Sequence, residues 1–354
     1  MNLSSILTVL ISLITGFPQS DRIDDGQWFH VFLDTRTAHA ISTGQGITVA
    51  IVDSGVDGGH GDLKDAILPG ADMTGPGDGR TDTFGHGTQV AGLVVAKGRT
   101  TGVAPGARVL PVRVILRDEY SNYSELIARG IRTAVSAGAQ VISLSLAIGR
   151  DNLLIRQEVE AALKADVVVV AAAGNRSVDQ GIGFPAAIPG VVAVTGLGRD
   201  GGVSSTSVAG EAAVIAAPCD DISTTSLGGT YGVGSGTSYS AAIVAGAVAL
   251  VRSKFPKLKG PEVVRRLTAT AIDKGPPGRD SQYGYGILNI VGALTADLPQ
   301  DTSPPTAALT SSPAGPLGGG GGGGGFPWWL VAVPVVIVGG AAAFFFMRRK
   351  TREE

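Results

Sequence analysis

The sequence predicts an α/β fold in which a mainly parallel sheet lies between layers of helices. Three observations carry this. Six short apolar runs are each separated from the next by a longer stretch of helical pattern or by a loop, the rhythm of a parallel sheet with helices on both faces. Several runs, DVVVVAAA above all, are continuously apolar rather than alternating, as strands covered on both faces are. Hydrophobic residues make up 44% of the 354 and charged residues 16%, so a large core is available to cover such a sheet.

The elements follow in chain order. Residues 3–15 are an uncharged apolar run, too short for a membrane span and of the length of a signal-peptide core; residues 1–20 are predicted to be a signal peptide. Residues 21–46 form an N-terminal extension. The main domain occupies 47–296, with strands expected at 47–53, 107–115, 139–146, 166–173, 191–197 and 212–218. Helices are expected at 86–96, 122–137, 151–165, 238–254 and 260–271. Residues 297–325 are rich in Pro, Ser and Thr and then in glycine, the composition of a linker. Residues 326–347 carry an uncharged segment long enough to cross a hydrocarbon layer of about 30 Å, led by Trp328 and Trp329. The tail 348–354 begins Arg348-Arg349-Lys350, which places it in the cytoplasm and the main domain outside. The chain is thus expected to be a single-pass protein of the cell membrane.

Composition excludes several functions. The formal net charge is −2 and no basic stripe runs through the main domain, so nucleic acid is not an expected partner. One cysteine, Cys219, permits neither an internal disulfide nor a cysteine-based zinc site. The four histidines, His30, His39, His60 and His86, lack paired-ligand spacing, and no acidic cluster has a calcium-loop pattern. No cofactor is expected, and a structural calcium, though open, is not indicated.

In parallel sheets of this kind, ligands bind beyond the C-terminal ends of the strands, so polar residues there are the candidates. Asp53 ends the apolar run VAIVD, where a carboxylate is costly unless paired; opening a turn is its other reading. His86 stands between two glycines at the start of a small-residue helix. A helix N-terminus disfavours the imidazolium and keeps a base neutral, although a packing histidine fits as well. Its local rival His60 lies in a polar loop. Ser238, in GTSYS, opens another small-residue helix; there it is either a nucleophile beside free backbone N–H groups or a helix cap. Asn175 follows the most apolar strand, and its amide is a candidate oxyanion donor or part of a Gly-Asn turn.

Aspartate, histidine and serine in that chain order, each at the edge of an α/β element, with an asparagine between the last two, form the subtilisin order. The chain resembles the subtilisin-like serine proteases over about residues 30–295. The matching stretches are VAIVDSGVD, GHGTQVAG, AAAGN and GTSYSAAIVAG. The resemblance implies a three-layer subtilisin-like fold and a serine endopeptidase acting on protein or peptide substrates through an acyl-enzyme. In it Asp53 orients the imidazole of His86, His86 moves the proton of Ser238, and Asn175 holds the oxyanion. It also implies substrate-binding edges at Ser143, Leu144, Ser145 and Leu146 and at Ala173 and Gly174. The layout, with a short N-terminal segment and a C-terminal span, is similar to that of the mycosins, membrane-anchored subtilases of type VII secretion systems. That similarity implies a secretion complex as partner. Two further roles fit the layout: a structural component of such a complex in which proteolysis is dispensable, and a general cell-surface subtilase. Three departures from the family pattern stand out. No proline follows Ser240-Ala241, Ala147-Ile148 replaces a Gly-Gly pair, and Cys219 takes the place of a glycine.

Overall fold

The computed structural model describes residues 19–115, 122–148 and 150–298. The predicted leader up to residue 18, all of the linker beyond residue 298, the predicted span 326–347 and the basic tail lie outside the described residues. Among the described residues no helix is long and apolar enough to cross a membrane.

Seven strands form the central sheet: β1 (Thr48–Asp53), β2 (Ala71–Asp72), β3 (Arg108–Arg113), β4 (Val141–Leu144), β5 (Val168–Ala172), β6 (Val192–Leu197) and β7 (Ile215–Pro218). Their spatial order is β2-β3-β1-β4-β5-β6-β7, and every pairing is parallel. The six predicted strands are all present, trimmed at their ends. Alternate residues of β1 feed the two cores. Val49 and Ile51 pack on one face and Ala50 and Val52 on the other, as the period-two geometry of a strand requires.

The first face is covered by α4 (His86–Val95) and α7 (Thr237–Lys254), the second by α5 (Tyr123–Ser136) and α6 (Leu153–Lys164). Helix α7 is buried on every side from Tyr239 to Arg252. Its Ala241, Ala242, Ala245, Gly246, Ala247 and Ala249 explain how it fits, because small side chains let it approach both the sheet and α4. Gly246 has no room for a Cβ, which would stand 2.7 Å from the Val103 side chain. Two further helices, α8 (Gly260–Ala269) and α9 (Ile290–Thr295), close the end of the domain.

Three short helices, α1 (Gln19–Asp25), α2 (Phe29–Phe32) and α3 (Thr35–Ile41), make up the N-terminal extension. It braces the domain through contacts spread over the chain. Gly26 O accepts from the Ser223 N–H at 2.9 Å, and the Gln27 side chain donates to Ser223 O at 2.7 Å. Trp28 donates to Asp220 O, Asp25 pairs with Arg199, and Ser42 donates to Leu250 O. His30 meets Thr101 O at 2.8 Å through Nε2, and burial pushes its pKa down to about 4, against that hydrogen bond.

An antiparallel hairpin, β8 (Ile222–Ser226) and β9 (Thr230–Gly234), leads directly into α7. One edge of β8 carries the Gly26 contact. Its threonines face α4: Thr224 and Thr225 donate to Gln89 O and Thr88 O.

Candidate active site

The strand order reverses at β1, with β3 on one side and β4 on the other. The C-terminal strand ends on either side of that reversal, where such sheets bind ligands, carry the predicted residues. Asp53 is the last residue of β1 and His86 the first of α4. Ser145 follows β4, Asn175 follows β5, and Ser238 lies in the first turn of α7.

Asp53 and His86 are paired. His86 Nδ1 lies 2.9 Å from both Asp53 carboxylate oxygens. Asp53 is fully buried and His86 keeps 11% of its side chain exposed. A buried carboxylate accepting from Nδ1–H fixes the tautomer and leaves Nε2 as the basic nitrogen. The Ser54 N–H donates to Asp53 Oδ1 at 2.7 Å, and Ser54 Oγ accepts from the Gly87 N–H at 2.9 Å, so the strand end and the helix start are tied together. Burial works against the charged ring, but Asp53, with a smaller contribution from Asp82, outweighs it. The His86 pKa is therefore raised above its ordinary 6.5.

The glycines around His86 are required by geometry. Gly85 precedes the helix at φ 98°, in the left-handed region. A Cβ on Gly87 would stand 2.0 Å from Gly55 O and 3.3 Å from the Asp53 Cβ. Only glycine lets the helix start come this close to the strand end.

Ser238 is not a helix cap. The capping position is Gly236, at φ 153°, which has no side chain to cap with; the first N–H of the helix is taken by Asn175 instead. Ser238 is partly exposed, and its backbone N–H, in the first turn, has no carbonyl of its own helix to bond. Its hydroxyl donates to Ser145 O at 3.2 Å, while Ser145 Oγ donates to Ser238 O at 3.1 Å. Among the described residues no hydrogen bond links His86 Nε2 to Ser238. Ser240 is spent on structure, donating to Ala217 O and Pro218 O from a fully buried position.

Asn175 is held by its amide oxygen. Oδ1 accepts from the Thr237 N–H at 3.0 Å and from Thr237 Oγ1 at 3.3 Å. Thr237 Oγ1 in turn accepts from the Gly174 N–H at 3.2 Å. With the oxygen fixed, the amide NH2 is the end turned away from Thr237, and among the described residues nothing accepts from it. The Asn175 N–H donates to Asp179 at 2.8 Å. Burial raises the Asp179 pKa against that hydrogen bond.

The remaining predicted residues divide. Ser143 and Leu144 belong to β4, and the Leu144 side chain is buried in the core. Ser145 and Leu146 continue beyond the strand, and Ala173 and Gly174 run beside them at the end of β5. The two edges are tied to the same segment: Ile148 and Phe184 exchange backbone hydrogen bonds at 2.7 and 3.1 Å, and the Gly183 N–H donates to Ala173 O at 3.3 Å. His60, the rival histidine, is buried, with Nε2 against Thr230 O and Nδ1 accepting from the Asp62 N–H. Its two nitrogens are occupied by backbone. Sequence reasoning missed Ser54, Thr237 and Asp82, whose parts depend on partners distant in sequence. Among the described residues no group of side chains is arranged to hold a metal.

Comparison with known proteins gives the family. Residues 44–286 match the model of the subtilase family of peptidases. The chain is 35% identical to subtilisin DY of Bacillus licheniformis over 257 residues, covering 71% of this chain and 91% of that protein. It is also 35% identical to subtilisin E of Bacillus subtilis (strain 168) over 259 residues, covering 71% of this chain and 66% of that one. Among solved structures, MycP1 with its N-terminal propeptide removed superposes with a TM-score of 0.70 at 30% identity, covering 77% of this chain and 98% of that one. MycP3 protease from the type VII (ESX-3) secretion system superposes at 0.68 with 31% identity, covering 76% and 88%. A parallel sheet with this site at its switch point, matched over most of the domain by subtilisins and by mycosins, leads to one conclusion: the chain belongs to the subtilase family of serine endopeptidases.

Proposed function

We propose that the chain hydrolyses peptide bonds with Ser238 as nucleophile, His86 as general base and acid, Asp53 as the carboxylate that orients and stabilises the imidazole, and Asn175 as oxyanion donor. The observation that carries this is the buried Asp53–His86 contact, with both oxygens 2.9 Å from Nδ1, at the same sheet edge as the first turn of α7. In the proposed cycle Ser238 Oγ–H leaves Ser145 O and turns to His86 Nε2. Its oxygen attacks the scissile carbonyl as the proton passes to the imidazole. The negative charge that develops on the carbonyl oxygen is received by the Asn175 amide and the Ser238 N–H. The imidazolium then protonates the leaving amine, and water repeats the sequence on the acyl-enzyme. Substrate lies between the edge Ser143–Leu146 and the edge Ala173–Gly174.

The mycosin neighbours and the apolar segment 326–347 support a membrane-anchored protease, its catalytic domain outside the cytoplasm and associated with a type VII secretion complex. A fluorophosphonate probe tests the chemistry: it labels the full-length chain, and Ser238→Ala abolishes labelling. A wild-type chain that stays unlabelled where subtilisin E labels would overturn the assignment. Carbonate extraction of membranes tests the anchor, since a chain released into the soluble fraction does not span them.

A further inference from the structure

We propose that Asp82 is a positioning residue for His86: it fixes the turn that aims the imidazole and places a second carboxylate charge beside it. This rests on His86 acting as the general base, as proposed above.

Asp82 accepts four hydrogen bonds, all from the segment around His86. Oδ1 takes the N–H groups of Phe84 at 2.9 Å and Gly85 at 2.8 Å. Oδ2 takes the Thr88 N–H at 3.0 Å and the Thr88 hydroxyl at 2.6 Å. His86 is therefore spanned: the donors on both sides of it converge on one carboxylate, and the left-handed Gly85 sits inside the loop so formed. The Thr88 hydroxyl extends the tie by accepting from the Asp57 N–H at 2.9 Å, beyond the end of β1. Asp53 reaches the ring from the strand side and Asp82 holds the helix start, so the two carboxylates fix His86 from different elements.

The charge also matters. All four donors are neutral, and among the described residues Asp82 makes no ion pair, so its negative charge is not cancelled locally. The charged groups that act on the His86 ring are Asp53 and Asp82. Two other charged groups border this loop and are matched elsewhere: Arg113 donates to Thr83 Oγ1 at 3.0 Å and pairs with Asp72 at 3.3 Å, and the Asp57 carboxylate accepts from the Gly59 and Gly228 N–H groups; Leu227 beside Gly85 is apolar. The imidazolium that forms as Ser238 attacks is therefore favoured by a second carboxylate that never touches it.

Asp82→Asn in the full-length chain separates charge from shape. The amide keeps one acceptor oxygen and loses the charge. The expected result is a downward displacement of the acid limb of kcat/KM by about half a pH unit. The plateau kcat should fall roughly three- to tenfold with KM unchanged. Thr88→Val, which removes one donor and keeps the carboxylate, leaves the limb in place. If Asp82→Asn lowers the melting temperature but leaves the limb where it was, Asp82 is a turn cap alone and the proposal is overturned. Should that variant not fold, the wild type is compared at about 0.05 M and 1 M salt. The field of the partly exposed Asp82 is screened more than that of buried Asp53, so a salt-independent limb overturns the proposal too. Fluorophosphonate labelling of the wild type is read in parallel. Its absence refutes the catalytic assignment itself, whereas a labelled enzyme with an unmoved limb refutes only the role of Asp82.

Discussion

Thr237→Val probes how Asn175 is aimed. The side chains are close to isosteric, and Thr237 is fully buried, so no cavity opens. Two interactions vanish: the hydroxyl's donation to Asn175 Oδ1 at 3.3 Å and its acceptance from the Gly174 N–H at 3.2 Å. The second leaves a buried N–H without its acceptor, a cost of about 1–3 kcal/mol of stability. The first removes one of two hydrogen bonds that orient the amide, while the Thr237 N–H still holds it at 3.0 Å. One neutral hydrogen bond is worth about 1 kcal/mol, so kcat should fall roughly fivefold. Asn175→Leu, which removes the donor altogether, should cost roughly a hundred- to a thousandfold. If the hydroxyl acts through Asn175, adding Thr237→Val to Asn175→Leu costs no further activity. Turnover of a chromogenic peptide, normalised to the fraction of enzyme that takes up the fluorophosphonate, measures all three variants, and urea unfolding gives the stability term. A Thr237→Val loss that persists in full on the Asn175→Leu background would refute the reasoning.

Three further outcomes are expected. Because the His86 pKa is raised by Asp53 against the effect of burial, the basic form is lost as pH falls through a value above 6.5. The acid limb of kcat/KM should lie there, and Asp53→Asn should reduce kcat by roughly ten-thousandfold; a limb well below 6.5 contradicts the pairing. His30 has the opposite sign. Its folded pKa is about 4 against an ordinary 6.5, so the unfolded chain takes up a proton that the folded chain refuses. Stability should decline as pH drops from about 7 towards 4, by up to roughly 3 kcal/mol, and His30→Gln should flatten that decline in urea unfolding. Finally, Cys219 is buried and its thiol is pushed up to about 12, chiefly by burial. Iodoacetamide at pH 8 should label it only after denaturation, and mass spectrometry of the native protein checks this.

The central sheet was legible because its strands are apolar on both faces, and the structure trims them by one to three residues at most ends. The hairpin β8–β9 was not, because ISTTS looks like a loop. The hydroxyls of Ser223, Thr224 and Thr225 are buried and satisfied by carbonyls of α4 and of Arg22, so polar residues serve as core. The helices of the extension were hidden for a similar reason: α1 is polar, and α3 starts from Asp34 in a left-handed conformation. In the site, the four residues at element edges could be read from their local contexts. The supports could not. Thr237 lies inside GTSYS, yet its hydroxyl meets Asn175, 62 positions away. Ser54 reads as a turn residue until Gly87 is seen donating to it. Periodicity and motif spacing describe which face a residue occupies, and they carry no record of which distant backbone group completes its hydrogen bonds.

The bracing extension has a consequence for how the molecule is held together. Residues 22–42 bond to positions near 101, 199, 220 and 250, joining parts of the chain that a small secreted domain would join by disulfides. This tie is made of Phe29, Leu33 and Ala38 buried in the main core, of backbone carbonyls, a tryptophan, a histidine and an ion pair, so reducing agents leave it intact. It is also separable. A cut between the extension and β1 would turn it into a non-covalent subunit, and a peptide of residues 22–45 supplied in trans should restore the cohesion of a chain that lacks it.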